Sequence, residues 1–232
     1  GNHESTRGGQ WLDLFERFGL ATRLADEPVA IGSTALYGLD HVPESRRDDL
    51  DYDFTRPAES DLDVEPTHTV LVGHGLFTPF AHANWDTETV LTESTVDFDA
   101  VLLGDNHAPG IEQVDDVWVT YCGSTERASA SEQDDRGYNV VGFDADAPGP
   151  DGVDIRRKSL PTREFVFVTA ALEPGEGAGR VREKIGQHDL ADAVVIVEIT
   201  GDGEAVTPGQ IESFALDNGA LIARVTDRRE IE

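Results

Sequence analysis

Three uninterrupted apolar runs, each followed by polar residues, constrain the fold of this chain most. They read TVLVGHG at 69–75, FDAVLLGDNH at 98–107 and VWVTYCGS at 117–124. An apolar run without alternation is typical of a strand that is covered on both faces, as in parallel sheets. Ligands of such sheets gather at the carboxyl ends of the strands. The polar residues after the first two runs are therefore predicted to lie at a functional edge.

Shorter elements precede and follow these runs. Apolar residues at positions i, i+3, i+4 and i+7 of QWLDLFERFG predict a short helix over 10–19. Short strands are expected at 29–32 and 34–39, before a surface loop over 42–66 that is dense in Asp, Glu, Pro and Arg. The stretches GYNVVGFDAD and VDIRRKSLP predict a hairpin around the loop APGPDG.

The pattern changes at about residue 162. From there the order strand, helix, strand, helix, strand is predicted by REFVFVTA, 176–188, DAVVIVEIT, 207–218 and ALIARVTD. This is a compact βαβαβ unit of about 70 residues by the length of its elements. We therefore place a domain boundary near Pro161.

The acidic charge of the chain indicates a saline environment and says little about which class of ligand the protein binds. There are 46 acidic and 18 basic residues, for a net charge of −28, and only Lys158 and Lys184 are lysines. Dispersed acid with scarce lysine suggests a halophile, since concentrated salt screens the self-repulsion of such a surface. The single cysteine, Cys122, excludes an intramolecular disulfide and a cysteine-rich zinc site. No apolar run approaches 18 residues, so no membrane partner is expected and a cytoplasmic location fits.

Three histidines stand beside glycine and small polar residues: His3 in GNHE, His74 in VLVGHG and His107 in GDNH. Imidazole and carboxylate suit divalent Mn, Fe or Zn, and two such ions can clamp a phosphate ester. Each piece alone has an ordinary interpretation, because GDNH can be a turn with local backbone bonds and GNHE can begin a helix with Asn2 as its cap. The combination of three such clusters favours a metal site.

The series GNHE, VLVGHG and GDNH resembles the calcineurin-like metallophosphoesterase superfamily, whose motifs read GNH[DE], a histidine after a strand, and GHxH. YCGSTERASASEQ at 121–133 is similar to the YPGSxER segment of one branch, the double-strand-break repair nucleases of the meiotic-recombination-eleven and SbcD type. The unit after residue 162 resembles the DNA-capping domain of that branch. The fold class implied is α/β: a partial metallophosphoesterase β-sandwich with flanking helices over 1–161, then a small α+β capping domain over 162–232.

The resemblance implies a dinuclear site that uses Mn²⁺. Asn2, His74 and Asp105 would hold one ion and His107 the other, while His3 would be the catalytic histidine near the scissile phosphate. Asp105 departs from the pattern, because the family has the first histidine of GHxH there. A carboxylate can bind manganese, but it changes the charge of the site.

The family's DxH and GD motifs lie upstream of GNH[DE], and the sequence begins at that motif. We therefore expect an N-terminally truncated chain that cannot hold a working two-metal centre alone. Cys122 stands where the family often has proline and is expected to be small and buried. The histidines His41, His68, His82 and His188 are assigned to structure or surface.

Arginine is suited to bidentate phosphate capture, so Arg7 and Arg127, together with Ser124, are candidate DNA contacts. Surface ion pairing is the alternative for each arginine. The resemblance implies DNA ends as substrate, with exonuclease and single-strand endonuclease activity. It also implies a coiled-coil ABC-type ATPase partner and a homodimer.

Two other functions fit parts of the sequence. A general phosphodiesterase of the same superfamily would lack the GSTER segment and the capping unit. A non-catalytic DNA-repair scaffold would fit the missing motifs and Asp105, but a decayed site would also be expected to lose Asn2, His3, His74 and His107. The leading hypothesis is thus a metal-dependent DNA nuclease.

Overall fold

The computed structural model of the protein describes residues 11–47, 49–130, 132 and 134–229. The chain divides into two compact units, the first formed by Gly1–Thr125 with Asp135–Leu160 and the second by Glu126–Asp134 with Pro161–Glu232. The division thus falls between Leu160 and Pro161. The segment Glu126–Asp134, expected in the first domain, groups with the second unit. No helix in the described ranges has the length and apolar character needed to cross a bilayer.

The first unit contains two helices, α1 and α2, and eight strands, β1 to β8, among its described residues. The helices are Trp11–Arg17 and Thr87–Glu93. The strands are Val29–Ile31, Thr34–Leu39, His68–His74, Ala100–Gly104, Gly110–Val114, Val117–Tyr121, Gly137–Phe143 and Val153–Ser159. Short 3-10 helices span Glu44–Arg46, Pro57–Glu59 and Pro150–Gly152.

Strands β1 to β6 form one sheet in the order β1-β2-β3-β4-β6-β5, and β7 and β8 form a hairpin. The pairs β2–β3, β3–β4 and β4–β6 are parallel, whereas β1 and β5 join the edges antiparallel. The expected central strands, the helix near residue 11 and the hairpin are therefore confirmed. The sequence patterns missed β5 and α2.

The sheet is covered on both faces, as its uninterrupted apolar strands predicted. On one face Leu71 and Val101 pack with Phe54, Phe98 and other aromatic side chains of the connecting segments. On the other face Val70 and Ala100 pack against Val153 of the hairpin. Burial of aliphatic and aromatic side chains on both faces is the main stabilising contribution to such a layered unit. The hairpin is the second layer of a partial sandwich, so the mixed α/β class is confirmed.

Helix α1 presents apolar side chains that the rest of the described chain leaves exposed. Leu14 and Phe15 of the helix are 43% and 45% exposed, and Phe18, just after its end, is 69% exposed. The amphipathic pattern therefore predicted the helix correctly, but other described residues do not bury Leu14 and Phe15.

The second unit is the expected βαβαβ arrangement. Its elements are β9, α3, β10, α4 and β11, which span Phe165–Leu172, Ala178–Ile185, Val194–Gly201, Pro208–Asp217 and Ile222–Asp227. The three strands are parallel in the order β11-β10-β9. Val181 and Ile211 of the two helices are fully buried against Val195 and Val197 of the central strand. Alternate residues of β9 are buried, which is typical of a sheet whose helices cover one face.

Candidate metal centre

Three central strands of the first unit end at one edge of the sheet. His74, the last residue of β3, is paired in register with Gly104, the last residue of β4. Tyr121, the last residue of β6, is paired with Leu103. Because these strands are parallel, the polar residues that follow them lie at the same edge, where ligands of such sheets bind. The prediction of a shared edge is confirmed.

His74 and Asp105 lie next to each other at this edge. The Nε2 atom of His74 is 3.6 Å from Oδ1 of Asp105, and their side chains are 32% and 24% exposed. A nitrogen and a carboxylate oxygen at this spacing, open to solvent, match the donor preferences of a divalent first-row cation. In the described part of the chain, no group of three or more His, Cys, Asp or Glu side chains forms a metal-binding cluster.

The backbone next to this pair is shaped to bring it together. A Cβ atom at Gly104 would lie 2.9 Å from Nδ1 of His74, so the absence of a side chain there lets the imidazole pack against the strand. Asp105 has a φ of 90°, in a region that non-glycine residues rarely adopt. Backbone strain of this kind concentrates at functional sites. The carboxylate is therefore presented by a conformation that ordinary turns avoid.

His107 lies two residues further along, on an exposed bend. Its carbonyl oxygen accepts hydrogen bonds from Nη1 of Arg136 at 2.9 Å and from the backbone N–H of Ser124 at 3.2 Å. The side-chain oxygen of Asn106 accepts the N–H of Ala108 at 3.1 Å, which is the local turn that the sequence left open as an alternative. The loop is thus both a turn and a neighbour of the His74–Asp105 pair.

Ser124 is part of the loop that follows β6. Its hydroxyl accepts from Nη1 of Arg136 at 3.0 Å, and its carbonyl accepts the N–H of Gly137 at 3.3 Å. Gly123 has a φ of 70°, and a Cβ there would lie 2.8 Å from the carbonyl oxygen of His107. The two loops therefore approach as closely as they do because residue 123 is glycine. Cys122 is exposed, so the expectation of a buried thiol was wrong: the residue stands after the strand has ended.

Arg127 lies in the second unit. Its guanidinium donates to the carbonyl oxygens of Glu132 and Arg163 at 3.0 and 3.2 Å, and to Oγ1 of Thr162 at 3.0 Å. It also lies over the ring of Phe165, 5.4 Å from the centroid. These contacts tie the segment Glu126–Asp134 to the start of β9. Asn2, His3 and Arg7 lie outside the described residues.

Two residues near His74 were not singled out from the sequence. Tyr121 is fully buried; its hydroxyl donates to the carbonyl of Gly75 at 2.6 Å and accepts the N–H of Phe77 at 2.9 Å. Burial, and secondarily the charge of Asp105, raise the pKa of Tyr121 to about 12, although the hydrogen bond from Phe77 opposes the shift. An aromatic residue with a polar tip at the end of an apolar strand was the available signal.

His41 is the second residue near His74 that was not singled out, since the sequence assigned it to structure or surface. Its Nδ1 atom is 3.4 Å from the carbonyl oxygen of His74, and the two rings meet edge to face with centroids 6.4 Å apart. It comes from the segment after β2, 33 residues away in the chain, so no local pattern could have indicated the contact.

Comparison with known proteins supplies the context for this edge. The chain is 63% identical over 232 residues to the DNA double-strand break repair protein Mre11 of Haloferax volcanii and 59% identical over 232 residues to that of Halobacterium salinarum. The Mre11 of Methanosarcina acetivorans is 39% identical over 236 residues. No protein-family profile matches the chain.

The alignments cover 100% of this chain for the two haloarchaeal relatives but only 50% and 58% of the relatives' own lengths. The chain thus spans about half the length of the curated relatives it matches. Two of them come from salt-loving archaea, in agreement with the acidic composition. The resemblance carried by the GNHE, GDNH and GSTER motifs is therefore confirmed, and the chain is related along its whole length to the Mre11 group of double-strand-break repair proteins.

Proposed function

We propose that this chain is part of a metal-dependent nuclease that processes the ends of broken DNA. The observation that carries the proposal is the pair formed by His74 and Asp105, whose donor atoms are 3.6 Å apart at the carboxyl edge of a parallel sheet. The relatives at 63% and 59% identity are named as DNA double-strand break repair proteins, which supports broken DNA as the substrate class.

In this proposal His74 and Asp105 bind one Mn²⁺ together with Asn2, and His107 contributes to a second. Bound divalent cations supply Lewis acidity toward a phosphodiester and a nucleophile at neutral pH. A ring nitrogen of His74 would give a lone pair to the cation, and the carboxylate of Asp105 would add a negative charge that favours cation binding. By resemblance, His3 stabilises the charge that develops on the phosphate or gives a proton to the departing sugar oxygen.

The second unit is proposed as the DNA-capping domain, over 162–232. Arg7, Ser124 and Arg127 are the proposed DNA contacts. For Arg127, a contact with DNA would compete with the hydrogen bonds that its guanidinium donates to the oxygens of Glu132 and Thr162. We also propose that the chain, taken alone, lacks a working two-metal centre. The exonuclease and single-strand endonuclease activities thus belong to the whole protein.

The proposed partners are DNA ends, a coiled-coil ABC-type ATPase and a second copy of the protein, in the cytoplasm. Support for a homodimer comes from Phe15 of α1 and from Phe18, which follows the helix, because both expose large apolar surfaces. Exposed apolar patches of this kind are typical of protein–protein interfaces.

The test is cleavage of a linear double-stranded DNA by the full-length protein with Mn²⁺ in multimolar KCl. H74A and D105A are expected to weaken Mn²⁺ binding and to lower cleavage about 100-fold or more, as expected when a metal ligand is lost. H188A is the matched control, because His188 is an exposed histidine in the second unit. It should cleave at the wild-type rate.

Three results would contradict the proposal. Unchanged Mn²⁺ affinity and cleavage in both variants would remove the metal site from this edge. An absence of both Mn²⁺ binding and cleavage in the wild-type protein would favour a non-catalytic scaffold. Efficient hydrolysis of a small phosphodiester with no cleavage of DNA by the wild type would favour a general phosphodiesterase.

A further inference from the structure

Arg136 has the largest fully buried side chain among the described residues, with only 1% of its surface exposed. A guanidinium is always charged, and burying one is costly unless its donors are well used. Here Nη1 donates to the carbonyl oxygen of His107 at 2.9 Å and to Oγ of Ser124 at 3.0 Å. The buried cation is thus directed at the two loops beside the candidate metal centre.

The backbone of Arg136 is fixed by the hairpin. Its carbonyl oxygen accepts the N–H of Leu160 at 2.9 Å, just after β8. The next residue, Gly137, begins β7 and donates its N–H to the carbonyl of Ser124 at 3.3 Å. A guanidinium whose backbone is anchored next to a paired strand can hold a loop in one position.

The carbonyl of His107 is the point where these contacts meet. It accepts from the Arg136 side chain and from the backbone of Ser124, and the close approach of the second loop depends on Gly123. Fixing the carbonyl of a residue restricts its ψ angle and so the position of its Cβ atom relative to the loop. The hydrogen bonds to the carbonyl of His107 therefore restrict the point from which its side chain extends.

We propose that Arg136 is a positioning residue for the nuclease reaction, which sets the orientation of His107 as a metal ligand through its backbone carbonyl. The inference rests on the proposed function, in which His107 holds the second ion. Residues that orient metal ligands without touching the metal typically change metal affinity 10- to 100-fold when they are mutated. The planar fork of arginine is suited to bridging two oxygens, and lysine reproduces it only in part.

The experiment measures the Mn²⁺ dissociation constants of the full-length protein by equilibrium dialysis in multimolar KCl. The variants are R136Q, R136K, H107A and the double variant R136Q/H107A. R136Q is expected to weaken one Mn²⁺ site about 10-fold or more, and R136K to weaken it less. In the H107A background R136Q should have no further effect on either constant, because the ligand that it orients is gone.

The matched control is R157Q. Arg157 lies on the neighbouring strand, and its guanidinium donates to the carbonyl oxygens of Cys122 and Asp135 at 2.7 and 3.1 Å. It therefore supports the loop after β6 through the carbonyl of Cys122, whereas Arg136 supports it through Ser124. R157Q is expected to leave both Mn²⁺ constants within about threefold of wild type, below the range for residues that orient a ligand.

Four outcomes bear on the positioning role of Arg136. Unchanged Mn²⁺ dissociation constants in a folded R136Q protein would overturn the positioning role. So would an R136Q effect on Mn²⁺ affinity that is equally large in the H107A background, because it would indicate general disruption of the site. If R136Q does not fold, as judged by circular dichroism without metal, R136K decides, and an unchanged constant in R136K overturns the role. H107A without effect on Mn²⁺ binding would overturn both this inference and the ligand assignment on which it rests.

Discussion

The Tyr121→Phe substitution removes one hydroxyl group at the edge that carries the candidate metal centre. That hydroxyl donates to the carbonyl of Gly75 at 2.6 Å and accepts the N–H of Phe77 at 2.9 Å, in a fully buried position. Each buried backbone group that loses its partner costs about 1–3 kcal/mol. Phenylalanine fills nearly the same volume, so the loss of packing is small. We expect the first unit to be destabilised by ~3 kcal/mol, or roughly 6–12 °C in Tm.

The same residue predicts how the loss depends on pH. The folded pKa of Tyr121 is raised to about 12, whereas a tyrosine in an unfolded chain titrates near 10. A raised folded pKa means that the stabilisation is complete below pH 10 and is lost as the pH rises from 10 to 12. Since one unit corresponds to about 1.4 kcal/mol, the wild type loses nearly 3 kcal/mol over this range that Tyr121→Phe does not. The pKa of Tyr37 is also raised to about 12, but its titration changes the stability of the wild type and of Tyr121→Phe equally.

The assay is chemical unfolding followed by tryptophan fluorescence in multimolar KCl. The three tryptophans, at positions 11, 85 and 118, all belong to the first unit, so the signal reports on that unit alone. Tyr138→Phe is the control, because Tyr138 lies on β7 and is 43% exposed. It should change the unfolding free energy by less than about 0.5 kcal/mol. A Tyr121→Phe protein within 0.5 kcal/mol of wild type at pH 8, or a difference that stays constant up to pH 12, would refute the reasoning.

Two further substitutions test the interior contacts of each unit. Arg127→Ala should destabilise the second unit by ~2 kcal/mol, because it removes the hydrogen bonds to Glu132, Thr162 and Arg163 and the contact with Phe165. The loss should appear as faster amide exchange in β9–β11 with unchanged tryptophan fluorescence, and unchanged exchange would contradict it. His68→Leu should destabilise the first unit by ~2–4 kcal/mol, because the buried ring nitrogens lie 3.2 Å from Oδ2 of Asp99 and 2.8 Å from the carbonyl of Asp144. His188→Leu, at an exposed site, is its control in denaturant unfolding, and equal midpoints would count against the buried network.

Much of the architecture followed from local patterns of the sequence. The three apolar runs predicted central strands covered on both faces, and the strand-helix-strand order after residue 162 predicted the parallel unit. These features depend on the period and length of apolar segments, which are local properties of the chain. The edge strand β5 was missed because the side chains of Gly110–Val114 are mostly exposed and carry little apolar pattern. Helix α2 was missed because only Thr87 and Val90 of its seven residues are buried.

For the candidate site, the sequence alone determined which residue types lie at the ends of strands, and the motifs it carries singled out His74, Asp105 and His107. Tertiary structure decided the rest: the register that sets His74 beside Gly104, the contact of His41 with His74, and the buried guanidinium of Arg136 against the carbonyl of His107. The last two contacts join residues 33 and 29 positions apart. Such contacts form only when loops close and several elements pack together, and their geometry depends on the whole unit. Local patterns in the sequence therefore could not specify them.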